Sequence, residues 1–184
     1  MRLNDDSDMK IAGEHFEEEE ESSESLEAMT RLLEQEKQNG NLPRARALGK
    51  QLVQTAKEIE RSLPLDDHAL IVQRWLLLTF AVEVELRQLS PNVLVAQAAH
   101  SVFYNTLQSD AANIYDELQE NGSLSFYYLC VREDDSVDEQ KVGETFASLC
   151  GHAGEEAYIR MGRDLYAGCV RQVEELTAAA GFVR

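Results

Sequence analysis

The sequence predicts an all-α protein: a compact helical bundle of about seven to eight helices with an acidic N-terminal extension. Three observations carry that expectation. Apolar residues recur every three or four positions along most of the chain, the repeat of a helix that buries one face. Pro43, Pro64 and Pro91, the three prolines, each stand beside helix start or stop signals. Leu124 to Val131, the stretch aromatic enough to be a buried strand, has helical neighbours and no partner strand.

Helices are expected near residues 23–39, 43–62, 67–89, 91–107, 110–120, 123–132, 137–150 and 153–180. Residues 1–22 read as the acidic extension, with the composition of a solvated tail. Residues 23–184 read as a single all-helical domain. Asn39-Gly40-Asn41 followed by Pro43 marks a stop and restart between two helices over residues 28–62. Ala45, Leu48, Leu52, Ala56, Ile59 and Leu63 step by 3, 4, 4, 3 and 4 and form one buried stripe. No second copy of this pair occurs at a fixed period, which excludes a solenoid.

Pro64 and Asp66 announce the next helix, with Asp66 as its N-cap. Ile71, Trp75, Leu78, Val82, Leu86 and Leu89 form its main stripe, and Leu70, Val72, Leu76, Leu77 and Phe80 make its first half apolar almost all round. A helix of that kind belongs in the middle of a bundle. Ser90 before Pro91 reads as an N-cap with proline at the first helical position. Asn121-Gly122 is a stop, and 123–132 is expected as a short buried helix. Ser136 and Glu139 form a capping box before Val142 and Phe146. Gly151 ends that helix. The last helix carries Gly162 and Gly168 in its interior, each costing ~1 kcal/mol against alanine. Both are expected to mark close approach of a neighbouring helix, from this chain or a second copy.

Charge is laid out in blocks. Residues 1–27 hold eleven acids against Arg2 and Lys10, a net of −9. Residues 31–61 are net +3, and residues 62–184 are net −11, within a whole-chain −17. A surface so acidic repels phosphate backbones and anionic lipid, which argues against nucleic acid and membrane as partners. The acidic run Glu17–Glu21 is complementary in sign to Arg44, Arg46 and Lys50 and could dock there with the help of Met9, Ile11 and Phe16. The longest apolar run, Ala69 to Val82, is interrupted by Gln73 and Arg74 and falls short of the ~20 residues that span a bilayer. The N-terminus lacks a basic segment followed by an apolar one, so a cytoplasmic protein is expected. Three cysteines without dense spacing fit a reducing compartment.

Common catalytic and metal motifs find no support. The residues three before His15, His68, His100 and His152 are Ala12, Leu65, Gln97 and Leu149, so the Glu-x-x-His pairs of a di-iron bundle are missing. Cys150, His152 and Cys169 would supply three zinc ligands without a fourth. Cys130, Cys150 and Cys169 are expected as small buried apolar residues. Neither a nucleophile elbow nor a glycine-rich phosphate loop is present. No cofactor and no metal site are expected.

Two polar residues sit on apolar faces. Arg74 lies inside the apolar run with no acid three or four residues away, so it needs a partner from another helix or from a ligand. His100 lies among Val95, Ala96, Ala98, Ala99 and Val102, and a bond to a backbone carbonyl would satisfy it. A pocket near Arg74, walled by Trp75, His100 and Tyr127, is the ligand-binding candidate. Six tyrosines suggest either a hydrogen-bonded core or a wet interface. The leading expectation is a non-enzymatic interaction or regulatory protein. It would bind a peptide, a protein partner or itself through a helical surface in residues 90–170. The alternative is a small-molecule binder or enzyme with the pocket near Arg74.

Overall fold

The computed structural model describes residues 14–62, 67–120 and 122–184, with side chains described except for residues 14–25 and Glu120. Met9, Ile11, Pro64, Asp66, Asn121 and the side chain of Phe16 lie outside the described residues, so the docking and capping expected of them do too. Among the described residues there are eight helices and no strand beyond one antiparallel bridge between Val131 and Val137. The helices are α1 (Glu14–Gln38), α2 (Asn41–Ser62), α3 (His68–Leu89), α4 (Val93–Asp110), α5 (Ala112–Glu120), α6 (Leu124–Tyr128), α7 (Glu139–Leu149) and α8 (Glu156–Ala180). The chain divides between Gly40 and Asn41 into two compact units.

The first unit contains α1. It starts at Glu14, ahead of the expected start near residue 23, so the run Glu17–Glu21 is helical. Glutamate is a good helix former, and acids near an N-terminus are favoured by the helix dipole. Leu26, Met29 and Leu33 are exposed along it. The helix stops at Asn39 and Gly40, where Gly40 takes a φ of 80° that costs glycine nothing.

The second unit is built around α3. Every residue from Val72 to Val82 is buried, because α8, α4, α5 and α6 all pack on this helix. The near-continuous apolar sequence of α3 is therefore used on all sides. Its N-cap is Asp67, whose carboxylate accepts the Ala69 N–H at 2.9 Å.

Two helix pairs are held by glycines. A Cβ at Gly49 in α2 would strike the Ala99 carbonyl of α4 and reach the Phe103 nitrogen at 2.9 Å. Between α7 and α8 the contact is reciprocal: Gly143 faces the Ile159 backbone, and Gly162 lies against Phe146, whose Cβ would be 2.5 Å from an added Cβ. Gly162 thus serves close packing within this chain, as one of the two expected readings held. Gly168 does not: it is exposed, and nothing lies within 4 Å of an added Cβ.

Two expected caps move. Asn92, not Ser90, caps α4 and accepts from Leu94 N at 3.1 Å and Val95 N at 3.2 Å. Ser90 instead closes α3, its N–H donating to the Leu86 carbonyl. Asp138, not Ser136, caps α7 through Lys141 N at 3.2 Å. The bridge between Val131 and Val137 holds the backbone extended up to that point, so a helix cannot begin earlier. The end of the chain returns to the start of α2. The buried Asn41 side chain donates to the Val183 carbonyl at 2.7 Å and accepts the Val183 N–H at 2.8 Å.

Candidate functional site

The most distinctive surface of the second unit is made by α6, which has only five residues. Isolated helices this short do not persist in water, so tertiary anchors must hold it. Tyr127 is 0% exposed, stacks on Phe80 of α3 at 5.8 Å between ring centres, and donates its hydroxyl to Gln73 Oε1 at 3.0 Å. Cys130, three residues on, is also buried, with its thiol 3.5 Å from Thr145 Oγ1 of α7. Behind α6 a small hairpin fixes the exit. The Asp138 N–H donates to the Cys130 carbonyl at 2.9 Å, Arg132 pairs with Asp138 at 3.1 Å, and Gln88 of α3 holds the Asp135 carbonyl at 3.1 Å.

With Tyr127 and Cys130 turned inward, their neighbours must turn outward. Phe126 is 53% exposed, Leu129 75% and Tyr128 39%. The expectation of a buried helix over 123–132 is corrected here: α6 spans Leu124–Tyr128 and buries one side only. One inward side of a five-residue helix is too small for the successive large side chains Phe126 to Leu129.

A groove runs on each side of α6. One, of about 460 Å³, lies between α6 and α7; Phe126, Leu129, Cys130 and Leu149 make its apolar walls, and Lys141 and Glu144 are its charged residues. The other, of about 260 Å³, lies between Tyr128 and Val131 on one side and Val84, Arg87 and Gln88 of α3 on the other. Next to it Glu83 accepts the Tyr104 hydroxyl at 2.6 Å. Burial, then the Glu83 charge, pushes Tyr128 up to about 12 and Tyr104 well above the usual range, so both are neutral hydroxyls at physiological pH.

The four residues expected to wall a pocket are not gathered as one group. Arg74 is 7% exposed, and its Nη1 reaches the Ala56 carbonyl of α2 at 3.5 Å. No carboxylate among the described residues pairs with it within 4.0 Å. Trp75, next along α3, also turns to α2 and donates its indole N–H to Glu60 at 2.5 Å. Tyr127 reaches α3 from α6, at Gln73 and Phe80. His100 hydrogen-bonds through Nε2 with the Val82 carbonyl at 3.1 Å, further along α3, so it has the backbone partner anticipated for it.

Burial raises the pKa of all three cysteines, so they are protonated thiols at neutral pH. Burial pushes Cys169 up to about 12 and Cys150 up to about 11. His152 is engaged elsewhere, stacked on Tyr158 at 3.6 Å and bonded to Glu155 at 2.9 Å. Among the described residues no group of three or more His, Cys, Asp or Glu is placed to hold a metal ion, and no helix is long and apolar enough to cross a membrane. The chain matches no family model, no curated protein and no solved structure. What the α6 face offers is physical: exposed apolar side chains on an anchored backbone beside two grooves. Sequence reading placed it within residues 90–170 but missed Phe126 and Leu129. The signal was available, since four consecutive large residues, Phe126 to Leu129, exceed what one side of a short helix can bury.

Proposed function

We propose that this chain is a non-enzymatic interaction protein of the cytoplasm, binding a peptide or protein partner through the exposed face of α6. The observation that carries the reading is the outward set of Phe126 and Leu129 beside the groove between α6 and α7. Contiguous exposed apolar side chains next to a formed groove mark contact sites on soluble proteins. The unpaired cysteines accord with a reducing compartment. The test is selection from a displayed random-peptide library on the full chain, with Leu129→Glu and Phe126→Ser as counter-targets. Peptides that bind the parent chain and neither variant support the reading. Enriched peptides indifferent to both substitutions refute it.

One observation favours a second reading, a small-molecule binder or enzyme with a pocket near Arg74. A guanidinium has five N–H donors, and that of Arg74 is buried with one long bond to a carbonyl among the described residues. Native mass spectrometry beside the denatured mass tests it: a retained small molecule lost in Arg74→Met supports the pocket, and a bare chain mass refutes it.

A further inference from the structure

The reading of α6 as a contact face leaves the chemistry of its partner open, and the charges around the face constrain that chemistry. This inference rests on that reading. Residues 132–144 lead from α6 into α7 and carry six acids against Arg132 and Lys141. Five of those acids are exposed and Asp138 is half-buried. Arg132 is neutralised by Asp138 at 3.1 Å, which leaves Lys141 as the segment's one unpaired base among the described ion pairs. Glu144 lines the larger groove and Asp135 the smaller one. Lys141 lines the larger groove and Arg87 the smaller one as well, so the acidic excess of the border comes from the remaining acids of the 132–144 segment.

We propose that the occupant of the α6 face is a cationic amphipathic segment of another protein, with large apolar side chains in the grooves flanking α6 and lysines or arginines against the 132–144 border. Charge complementarity decides between occupants. A second copy would bring the same acidic border and a net −17 against itself, a like-charge arrangement that disfavours association. An anionic membrane is repelled for the same reason. A basic segment gains from both parts of the surface: apolar burial sets the affinity, and the acidic border speeds encounter and selects the partner. Helix-in-groove recognition of this kind places apolar anchors on one face of the segment and leaves the rest free for charge.

The experiment uses three synthetic peptides patterned as amphipathic helices, Leu/Lys, Leu/Gln and Leu/Glu, plus a Leu/Lys peptide scrambled to break the apolar face. Each is titrated by fluorescence anisotropy against the full chain, Leu129→Glu and Phe126→Ser, at low and high salt. Leu129 and Phe126 are exposed, so neither variant is expected to lose its fold, and circular dichroism checks this. The expected result is that Leu/Lys binds the parent chain, weakens with salt, and loses about tenfold or more in Leu129→Glu. That loss would occur although the variant is more negative, which separates the groove from general attraction to an acidic protein. Equal binding to parent and variants, or equal binding of the scrambled peptide, overturns the proposal. Patch-dependent binding of Leu/Gln or Leu/Glu as tight as Leu/Lys overturns the proposal and leaves the contact face standing. A dimer abolished by Leu129→Glu would assign the face to a second copy, and Leu129-dependent binding to phosphatidylcholine vesicles would assign it to lipid; either also overturns it. Absence of any binding overturns it too, with the peptide selection deciding the contact face separately.

Discussion

Gly162 and Gly168 offer a prediction that tests the packing of α7 on α8 with an internal control. Both glycines lie inside α8 and both replacements to alanine gain the same helix propensity, about 1 kcal/mol. At Gly168 nothing lies within 4 Å of the new methyl group, so the gain is kept. Gly168→Ala should stabilise the chain by about 1 kcal/mol, raising Tm by about 2–4 °C for a chain of this size. At Gly162 the methyl would sit 2.5 Å from Phe146 Cβ and 2.7 Å from its Cγ. Both are well inside the 3.5–4.0 Å of an ordinary carbon contact, and Phe146 is 0% exposed with no space to retreat. The α7 helix must move away by about 1 Å to restore that contact distance. It cannot do so by sliding, because Gly143 fixes it against the Ile159 backbone. Overpacking of that kind costs roughly 1–3 kcal/mol. Gly162→Ala should thus be less stable than Gly168→Ala by roughly 1–3 kcal/mol, with propensity cancelled in the difference. Urea unfolding followed by far-UV circular dichroism measures both. Equal stabilisation in the two variants would refute the close approach of α7 and α8. Because α7 forms one wall of the larger groove, Gly162→Ala should also weaken any ligand held there.

Three further outcomes follow from named contacts. Glu85 is raised above the usual carboxylate range by partial burial and then by Glu174. Its native state holds a proton more tightly than the unfolded chain, so its charge is a penalty above the raised native pKa that is relieved as pH falls through it. Glu85→Gln should raise Tm at neutral pH, with the gap to the parent chain closing towards acid pH; a gap that is constant or widens on acidification contradicts this. Glu60→Ala leaves the Trp75 N–H without its 2.5 Å acceptor at a residue 1% exposed, at a cost of about 1–3 kcal/mol. Emission from Trp75, the single tryptophan, should change while Glu60→Gln keeps the bond, and an unaltered spectrum in Glu60→Ala would discard the contact. Finally, Cys150 and Cys169, pushed up to about 11 and about 12, should react slowly with a disulfide reagent at neutral pH and fast in denaturant. Rapid native labelling of Cys169 would contradict its burial; Cys150, expected to be buried, is only partly so, and rapid labelling there would contradict its raised pKa.

Where local pattern and tertiary need agree, the fold was legible. The sequence of α3 is apolar almost all round, and only a central position satisfies that; the helix is buried without a break from Val72 to Val82. Of the two glycines of α8, Gly162 was read correctly as a point of close approach and Gly168 was not. Six residues at about 100° each put Gly168 well round the helix from Gly162. The buried stripe Ile159, Gly162, Tyr166, Cys169, Val173 includes the first and omits the second. The start of α1 was not legible, since an acidic run suits both a solvated tail and the first turns of a helix. Ser136 failed as a cap because a pairing between Val131 and Val137, invisible to local rules, claimed the backbone there. Arg74 was flagged as a charge inside an apolar run and Trp75 as its neighbour in a pocket wall, but adjacency in sequence says nothing of partners. Only the position of α2 gives Trp75 its Glu60 and Arg74 its Ala56 carbonyl.

The exposure of α6 has no return in folding. Tyr127, through Phe80 and Gln73, and Cys130, beside Thr145, already hold the helix. Phe126 and Leu129 remain more than half exposed, so most of their apolar area gains nothing from burial, and serine or lysine at either position would leave those anchors intact. A large exposed apolar side chain carries a standing risk of non-specific association. In a chain that keeps a net −17, solubility is otherwise strongly protected. Two apolar side chains that folding does not require, carried on a backbone held by buried anchors and bordered by a segment of net negative charge, form a surface whose backbone needs no ordering when a partner arrives. Preorganisation of that kind raises affinity only for a partner whose shape and charge already match. That is why the α6 face, and not the longer exposed stripe of α1, is the place to look for recognition.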